Sequence, residues 1–259
     1  VERDVDISCL QIDPLLPSRV VLVCRDASGE RSFGGFDGNK GNGFADEAIN
    51  LEELCNQWPL IASNAQWLLV GTIPLAFPMS SQSLLWILKQ AAHQGIRIAL
   101  DVNWRPIFWD SSFLADSGPS QLARDAIQSV VELASLLKLS KEEAICFFNS
   151  SDPLEISHSL TNKPDVVITD GALPIKWLLN GFFGTMNVSS SLPIIDTTGA
   201  GDCFTAGLLS KIVSTRKLPT NHEEAEQMIR FAAACGALVC SGAGAITPQP
   251  SYEEVRSFM

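Results

Sequence analysis

The sequence predicts an α/β fold: a doubly wound, mainly parallel sheet with helices on both faces, accompanied by a small β lid. From residue 66 onward, short apolar runs alternate with segments of helical period. Such alternation implies right-handed βαβ units and therefore a parallel sheet. Before residue 45, two β-rich runs flank a turn and predict the lid. Near residue 200, a glycine-rich stretch joins the apolar run 192–195, which we interpret as a strand, to the start of a helix.

The lid is predicted from a hairpin near the beginning of the chain. Arg19–Arg25 is rich in β-branched residues and reads as a strand, and 31–36 returns as a second strand after the turn at 26–29. A glycine- and asparagine-rich segment follows. We therefore divide the chain into a partial lid region, 1–45, and one large α/β domain, 46–259.

The main domain is predicted as strands and helices in alternation. The strands have apolar centres and cover 66–72, 97–102, 136–139 and 165–170. The helices cover about 80–93, 120–135, 141–148, 203–213 and 222–240. Ser80 or Ser81 is expected to cap the first of these helices and Gly95 to end it. Asn180 and Gly181 predict a hairpin between 175–179 and 182–188.

Composition and charge exclude several classes of function. Of the 259 residues 46% are hydrophobic, and the net charge is −11 with a pI near 4.7. This acidity disfavours a broad surface for nucleic acid or anionic membrane. Seven scattered cysteines favour a reducing cytoplasm over a disulfide framework or a zinc site. No apolar run reaches transmembrane length and no signal peptide is visible. Cys203 is interpreted as a small hydrophobic residue.

The stretch 196–202, Asp-Thr-Thr-Gly-Ala-Gly-Asp, is the strongest functional pattern. The first N–H groups of a helix lack internal partners and carry partial positive charge. Gly199, Ala200 and Gly201 leave that backbone accessible, so a phosphate can approach it closely. The carboxylate of Asp202 repels a bound phosphate, so its position indicates a chemical role. Accepting a proton from an attacking hydroxyl is such a role. The alternative is a tight turn capped by aspartate.

This seven-residue string closely resembles the signature of the pfkB/ribokinase family of carbohydrate kinases, and the resemblance extends over essentially the whole chain. It implies a ribokinase-like fold that uses ATP and Mg²⁺. It also implies an anion hole at 199–201 and Asp202 as the catalytic base. In some members the first aspartate, here Asp196, helps to hold a monovalent cation such as K⁺. No Lys-Ser/Thr follows the glycines, so the string is not a Walker A loop.

A second polar segment follows the strand that ends near residue 100. Asp101 and Asn103 suit sugar hydroxyls, and Arg105 offers a planar fork for phosphate or carboxylate. The alternative is an Asx-type turn with a surface arginine. Asp-x-Asn-x-Arg-Pro resembles the segment of fructokinases and 2-keto-3-deoxygluconate kinases that reaches the sugar and the transferring phosphate. Arg31, in the lid hairpin, is a further candidate for the sugar pocket and equally a candidate for a solvated surface residue.

Three more segments resemble family elements around the nucleotide. The run 139–143 is similar to the Asn-x-x-Glu element, with Ser140 in place of the asparagine, and the resemblance implies that Glu143 acts on Mg²⁺ through water. Ser140 and Glu143 also fit a helical capping box, and both roles can hold. Two loops, 169–172 and 240–245, resemble the nucleotide side of the site. The residues implied there are Thr169, Gly171, Gly242 and Gly244.

The expected function is transfer of the γ-phosphoryl group of ATP to a sugar hydroxyl. We rank fructose first, 2-keto-3-deoxygluconate second and a nucleoside third. The expected partners are the sugar and a second copy bound through the lid, with no nucleic acid or membrane.

Family members begin with a strand ending in an acidic residue and a Gly-Gly-x-x-x-Asn segment. We do not find these elements, so we expect about the first quarter of a complete kinase to be missing. That expectation favours the rival hypothesis of a non-catalytic binding module, whereas Asp202 argues against it. A dinucleotide-dependent oxidoreductase is disfavoured because no G-x-G-x-x-G follows an early strand.

Overall fold

The computed structural model describes residues 5–25, 31–36, 43–110, 117–188 and 192–259. The chain divides into two compact units. One comprises Val1–Leu22 and Gly35–Ser135, and the other comprises Val23–Gly34 and Leu136–Met259. The predicted border between a lid region and a main domain at residue 45 stays a prediction.

The two predicted lid strands are present. Strand β1 spans Val21–Arg25 and β2 spans Arg31–Phe36, and they form a two-stranded sheet. The first strand starts two residues later than predicted because Arg19 is occupied elsewhere. The predicted turn at 26–29 lies outside the described residues.

The side chain of Arg19 is buried in a box of aromatic rings. Its Nε donates to Asp46 at 2.9 Å, and its Nη2 donates to Glu47. Both carboxylates belong to a 3-10 turn at Ala45–Glu47. The guanidinium carbon lies between 4.4 and 5.4 Å from the centroids of Phe36, Phe44, Phe77 and Phe108. Cation–π contacts of this kind gain strength when they are removed from water, so Arg19 fixes the start of the lid strand.

The first unit is built from two parallel strands and four helices. Strand β3 is Trp67–Gly71 and β4 is Arg97–Asp101, paired in parallel from Trp67 opposite Arg97 to Gly71 opposite Asp101. The helices are α1 (Leu51–Ala62), α2 (Pro78–His93), α3 (Pro106–Trp109) and α4 (Gln121–Val131). A 3-10 turn at Ile73–Ala76 precedes α2.

Two expectations for this unit were wrong in detail. Helix α2 starts at Pro78 and not at Ser80, because proline suits the first helical position and Ser80 donates its hydroxyl to the carbonyl of Asp46 at 2.7 Å. Strand β3 is only partly buried, and Leu69 is 47% exposed. Its apolar centre predicted a fully covered strand, but β3 is the first strand in the order of the sheet and therefore lies at an edge.

In its described residues from Leu136 onward, the second unit has four strands and five helices. The strands are β5 (Leu136–Ser140), β6 (Asp165–Asp170), β7 (Leu173–Leu179) and β8 (Phe182–Met186). The helices are α5 (Lys141–Phe148), α6 (Pro153–Ser159), α7 (Ala200–Thr215), α8 (His222–Val239) and α9 (Tyr252–Phe258). β5 pairs with β6 in parallel, whereas β6, β7 and β8 pair antiparallel.

The predicted fold class is confirmed. Strands β3 to β8 follow chain order in a six-stranded, mainly parallel sheet. The predicted hairpin is also present, with Asn180 and Gly181 both at positive φ, 47° and 83°. The sequence analysis did not predict α1, α3, α6 or α9. Of these, α3, α6 and α9 are short, with four to seven residues, and α1 contains Pro59 in its interior.

Helices α7 and α8 pack closely through a small-residue contact. A Cβ on Gly207 would lie 2.7 Å from the sulfur of Cys235, so only glycine allows this approach. Cys203 lies in the same cluster and is 4% exposed, as expected of a small hydrophobic residue. Its hydrogen bond with Cys235 and its burial both raise the pKa of the Cys203 thiol. Among the described residues, no helix is long and apolar enough to cross a membrane.

Candidate active site

Helix α7 begins within the glycine-rich motif. Gly199 caps the helix with φ +80°, and a Cβ there would lie 2.8 Å from the Cβ of Ala245. Gly199 is therefore required both by its backbone conformation and by the close approach. The N–H groups of Gly201 and Asp202 donate to no acceptor in the described part of the chain. Together with the helix dipole, they are the groups to which the predicted anion hole is assigned.

The apolar run before the motif is not a strand, contrary to expectation. Residues 192–195 adopt no regular structure, and Ile194 and Ile195 are 53% and 45% exposed. The N–H groups of Ile195 and Asp196 both donate to the carbonyl of Cys240, at 2.8 and 3.2 Å. This segment therefore pairs with the end of α8 and not with a strand.

Asp196 organises the turn that leads into α7. It is 5% exposed, and its Oδ1 accepts from the N–H and the hydroxyl of Thr198 at 3.0 and 2.7 Å. Its Oδ2 accepts from the N–H of Gly244 at 2.9 Å. The carboxylate thus connects the motif to the loop after α8. The role of Asp196 as a ligand of a monovalent cation stays a prediction.

Asp202 lies in the first turn of α7. Its side chain is exposed, and it accepts no hydrogen bond from any residue that the structure describes. The carboxylate is therefore open to a ligand bound at the start of α7. Its role as the base stays a prediction.

The sequence reasoning missed Lys138 as a residue of this site. Lys138 lies in the middle of β5 and is 9% exposed. Its Nζ is 3.0 Å from the position of a Cβ on Gly201. The signal was present, because this lysine interrupts the apolar run Leu136, Leu137 and Leu139.

At the carboxyl ends of β5 and β6, the predicted capping box is present. Ser140 Oγ accepts from the N–H of Glu143 at 3.1 Å, and Glu143 Oε2 accepts from the N–H of Ser140 at 2.7 Å. Glu143 is buried at 7% exposure. Lys141 donates to Asp170 at 2.8 Å, a hydrogen bond that raises the pKa of the lysine. These contacts brace the start of α5 against the end of β6.

The predicted nucleotide-side residues fall in two places of the second unit. Thr169 lies near the end of β6, where its hydroxyl is 3.4 Å from the carbonyl oxygen of Leu139, and Gly171 follows at φ +56°. Gly242 packs against Pro248, since a Cβ there would lie 2.5 Å from the proline Cβ. Gly244 has φ +82° and open space around it. The hydrogen bond to Asp196 brings Gly244 to the motif.

Of the predicted sugar-side residues, Asp101, Asn103 and Arg105 lie in the first unit, and Arg31 lies in the second. Asp101 ends β4 and is 9% exposed. Asn103 has φ 44°, a left-handed conformation that asparagine tolerates. Arg105 is exposed, and its Nη1 donates to the carbonyl of Trp104 at 2.7 Å. Arg31 starts β2, and its side chain lies outside the described part of the structure.

Within the described ranges, no three histidine, cysteine, aspartate or glutamate side chains gather as a metal cluster. Glu143 lies in the first turn of α5, directly after β5, and offers a single carboxylate. Mg²⁺ usually keeps several waters and binds through one or two carboxylates together with substrate phosphates. The donor set therefore fits Mg²⁺ bound through water and does not fit an all-protein cage.

Comparison with known proteins places these features in a family. A model of pfkB family carbohydrate kinases matches residues 2–252. The chain is 28% identical to "Probable fructokinase-6, chloroplastic" of Arabidopsis thaliana over 98% of its own length and 63% of that protein. It is 29% identical to a fructokinase of Salmonella typhimurium, covering 98% of its own length and 78% of the relative.

A solved structure agrees with these sequence matches. The crystal structure of a fructokinase from Vibrio cholerae O395, bound to fructose, ADP and calcium ion, aligns with a TM-score of 0.77 at 26% identity. The alignment covers 99% of this chain and 78% of that one. The chain thus spans less than two thirds of the plant relative and about three quarters of the two bacterial proteins.

Proposed function

Because the chain belongs to the pfkB family of carbohydrate kinases, we propose that it is an ATP-dependent sugar kinase. The observation that carries the proposal is the position of Asp202. Its free carboxylate lies in the first turn of α7, where two N–H groups have no acceptor among the described residues. A base beside an anion hole is the arrangement that phosphoryl transfer to a hydroxyl requires.

Asp202 takes the proton of the sugar hydroxyl as its oxygen attacks the γ-phosphorus. The new bond forms between that oxygen and phosphorus, the bond to the β-phosphate oxygen breaks, and ADP leaves. The N–H groups of Gly201 and Asp202 bind the oxygens of the transferring group. Within the motif at Gly199, Ala200 and Gly201, the N–H of Ala200 is already used, because it donates to the carbonyl of Thr197 at 3.3 Å. Arg105 positions that group through its planar guanidinium. Mg²⁺, held through water by Glu143, supplies neutralising charge for the triphosphate when it is bound.

The residues around the nucleotide contribute backbone as much as side chains. Gly171 and Gly244 have positive φ and no Cβ, so a nucleotide can approach these loops closely. Thr169 and Gly242 belong to the same two segments. We assign all four to the nucleotide side. The monovalent cation, K⁺ in our proposal, is assigned to Asp196.

Fructose is the first candidate among sugars. The relatives reported above are named fructokinases, and one was crystallised with fructose. Asp101 and Asn103 match neutral hydroxyls, and Arg105 is the cation assigned to the phosphoryl group. A 2-keto-3-deoxygluconate substrate would want a further cation for its carboxylate, for which Arg31 is the candidate.

The proposal is tested by product analysis. The protein is incubated with Mg²⁺, ATP and single sugars, and sugar phosphate and ADP are followed by ³¹P NMR. We expect stoichiometric sugar phosphate and ADP. The variant Asp202→Asn should keep nucleotide binding and the melting temperature, and should lose about two to four orders of magnitude in kcat.

The matched control is Glu223→Gln, which changes an exposed acidic residue in the first turn of α8 and should leave kcat unchanged. Nucleotide binding without phosphorylation of any sugar in the panel would instead favour the non-catalytic binding module.

We also propose that the lid mediates a homodimer and that the protein works in a reducing cytoplasm. Three consecutive apolar residues around the start of β1 are about half exposed, which is unusual. They are Val20, Val21 and Leu22, at 48%, 45% and 46%. The described cysteines are free thiols. Val21→Asp should shift the mass measured by light scattering towards the monomer, whereas Leu60→Asp on α1 should not.

A further inference from the structure

The side chain of Lys138 is buried in the centre of the second unit's sheet. Its neighbours along β5, Leu137 and Leu139, are fully buried, and its register partner on β6 is Val167. Burial of a charged side chain is costly unless its surroundings use the charge. The chain keeps a lysine between two fully buried leucines, Leu137 and Leu139.

The terminus of this side chain lies at the first turn of α7. Its Nζ is 3.0 Å and its Cε 3.9 Å from the position of a Cβ on Gly201. The Nζ is therefore the part of the Lys138 side chain that is closest to the Cβ position of Gly201, in the turn that carries the free N–H groups.

We propose that Lys138 is a positioning residue of the anion hole, whose charge holds the transferring phosphoryl group against the N–H groups of Gly201 and Asp202. This inference rests on the proposed kinase function. The charge of Lys138 adds to the partial positive charge of the α7 terminus at the same place. Glycine at residue 201 then does more than leave the backbone accessible to phosphate. It also leaves room for the ammonium group of Lys138, which would lie 3.0 Å from a Cβ at this position.

The positioning role requires the charge of Lys138, whereas a purely structural role does not. If Lys138 only filled space or stabilised the sheet, a methionine of similar length would pack as well or better. If it holds the γ-phosphoryl group, its loss should weaken the binding of ligands with a γ-phosphate and slow the transfer, while the fold remains.

The test compares Lys138→Met with Lys138→Arg. We expect the methionine variant to melt within a few degrees of the parent protein, to lower kcat by about 10- to 100-fold and to change the KM for sugar little. The arginine variant should recover a substantial part of kcat because it restores the charge. Unchanged kcat in Lys138→Met, or loss of activity that parallels loss of folding in both variants, overturns the proposal.

A binding measurement separates this inference from the proposed function. Calorimetry compares a non-hydrolysable ATP analogue with AMP, which lacks the γ-phosphate. Lys138→Met should weaken the analogue by about 10-fold and AMP hardly at all. Equal weakening of both ligands, or of neither, contradicts the proposal even if the parent protein phosphorylates no sugar. A parent protein inactive on every sugar would contradict only the kinase assignment.

The contact itself is tested with Gly201→Ala. The added methyl displaces the ammonium, so this variant should also lose activity. When it is combined with Lys138→Met, the two effects should be non-additive, because both act on one contact. We expect the double variant to fall within about 3-fold of Lys138→Met. Fully multiplicative losses would show that the two residues act independently.

Discussion

The carboxylate of Asp196 accepts the backbone N–H of Gly244 at 2.9 Å and so joins segments that are 48 residues apart in the sequence. The same carboxylate accepts two hydrogen bonds from Thr198 at the entry to α7. Asp196 is buried, whereas Thr198 and Gly244 are half-buried. The aspartate therefore fixes the start of α7 relative to the loop that follows α8.

Asp196→Ala should destabilise the protein by about 1–3 kcal/mol, because it leaves half-buried donors without an acceptor. Asp196→Asn keeps one acceptor oxygen and should cost less. Thermal unfolding measures both variants. Activity is then titrated with K⁺ in each, using choline chloride to hold ionic strength. A selective loss of the K⁺ response in Asp196→Asn would support the cation assignment, whereas unchanged stability in Asp196→Ala would contradict the bracing role.

Gly199 and Gly244 form a matched pair with nearly the same backbone angle. Their φ values are +80° and +82°, but only Gly199 has a neighbour, Ala245, within contact of an added Cβ. Gly244→Ala should cost about 1–2 kcal/mol for the left-handed conformation alone. Gly199→Ala should cost about 1–3 kcal/mol more through overpacking.

Denaturant unfolding of the two variants isolates the contact at Gly199. Adding Ala245→Gly to Gly199→Ala removes the atom at 2.8 Å and should recover most of the difference. Ala245→Gly alone is the control. Equal costs for the two alanine variants would show that the loop yields to the added methyl group.

Several parts of the fold and site followed from the sequence because they depend on neighbours along the chain. The hairpin at Asn180 and Gly181, the capping box of α5 and the helix start at Gly199 are of this kind. Each is set by turn or capping chemistry within four residues, which a single sequence displays directly.

The errors and omissions arose where distant contacts decide the structure. The run 192–195 looked like a strand, but the N–H of Ile195 donates to the carbonyl of Cys240. Ser80 looked like a cap, but it bonds to Asp46. Lys138 was assigned only to a strand, because the approach of its Nζ to Gly201 depends on how α7 packs against the sheet.

The role of Glu143 can be separated from helix capping, because the chain contains a second capping box. In α9, Glu254 Oε2 accepts from the N–H of Ser251 at 2.7 Å, the same distance as in α5. Glu143→Ala and Glu254→Ala should each lower stability by about 1 kcal/mol through loss of the cap. Only the change at Glu143 should raise the Mg²⁺ concentration needed for half-maximal rate.

Glu143→Gln refines this prediction, because glutamine keeps an oxygen for the cap and loses the charge. It should melt near the parent temperature and still require more Mg²⁺ than the parent. A Mg²⁺ requirement that is unchanged in both variants of Glu143 would restrict this residue to capping.

The last prediction concerns substrate choice, for which the first unit supplies the residues. Asp101 is buried at the end of β4 and Asn103 follows in a left-handed turn, so both present polar groups from fixed backbone. A site built to bond hydroxyls discriminates strongly against ligands that leave those groups unpaired. We expect kcat/KM for fructose to exceed that for 2-keto-3-deoxygluconate by tenfold or more, which corresponds to about 1.4 kcal/mol of transition-state preference.

Asp101→Asn should lower kcat/KM for fructose by about 10- to 100-fold, since a charged acceptor bonds hydroxyls more strongly than an amide does. Arg31→Met should leave kcat/KM for fructose within about 3-fold, because a neutral sugar offers this arginine no carboxylate. If 2-keto-3-deoxygluconate is instead the better substrate and Arg31→Met abolishes that advantage, Arg31 is the carboxylate partner and the ranking of sugars is reversed. Asp202 keeps its role as base with either sugar, because both react through a hydroxyl.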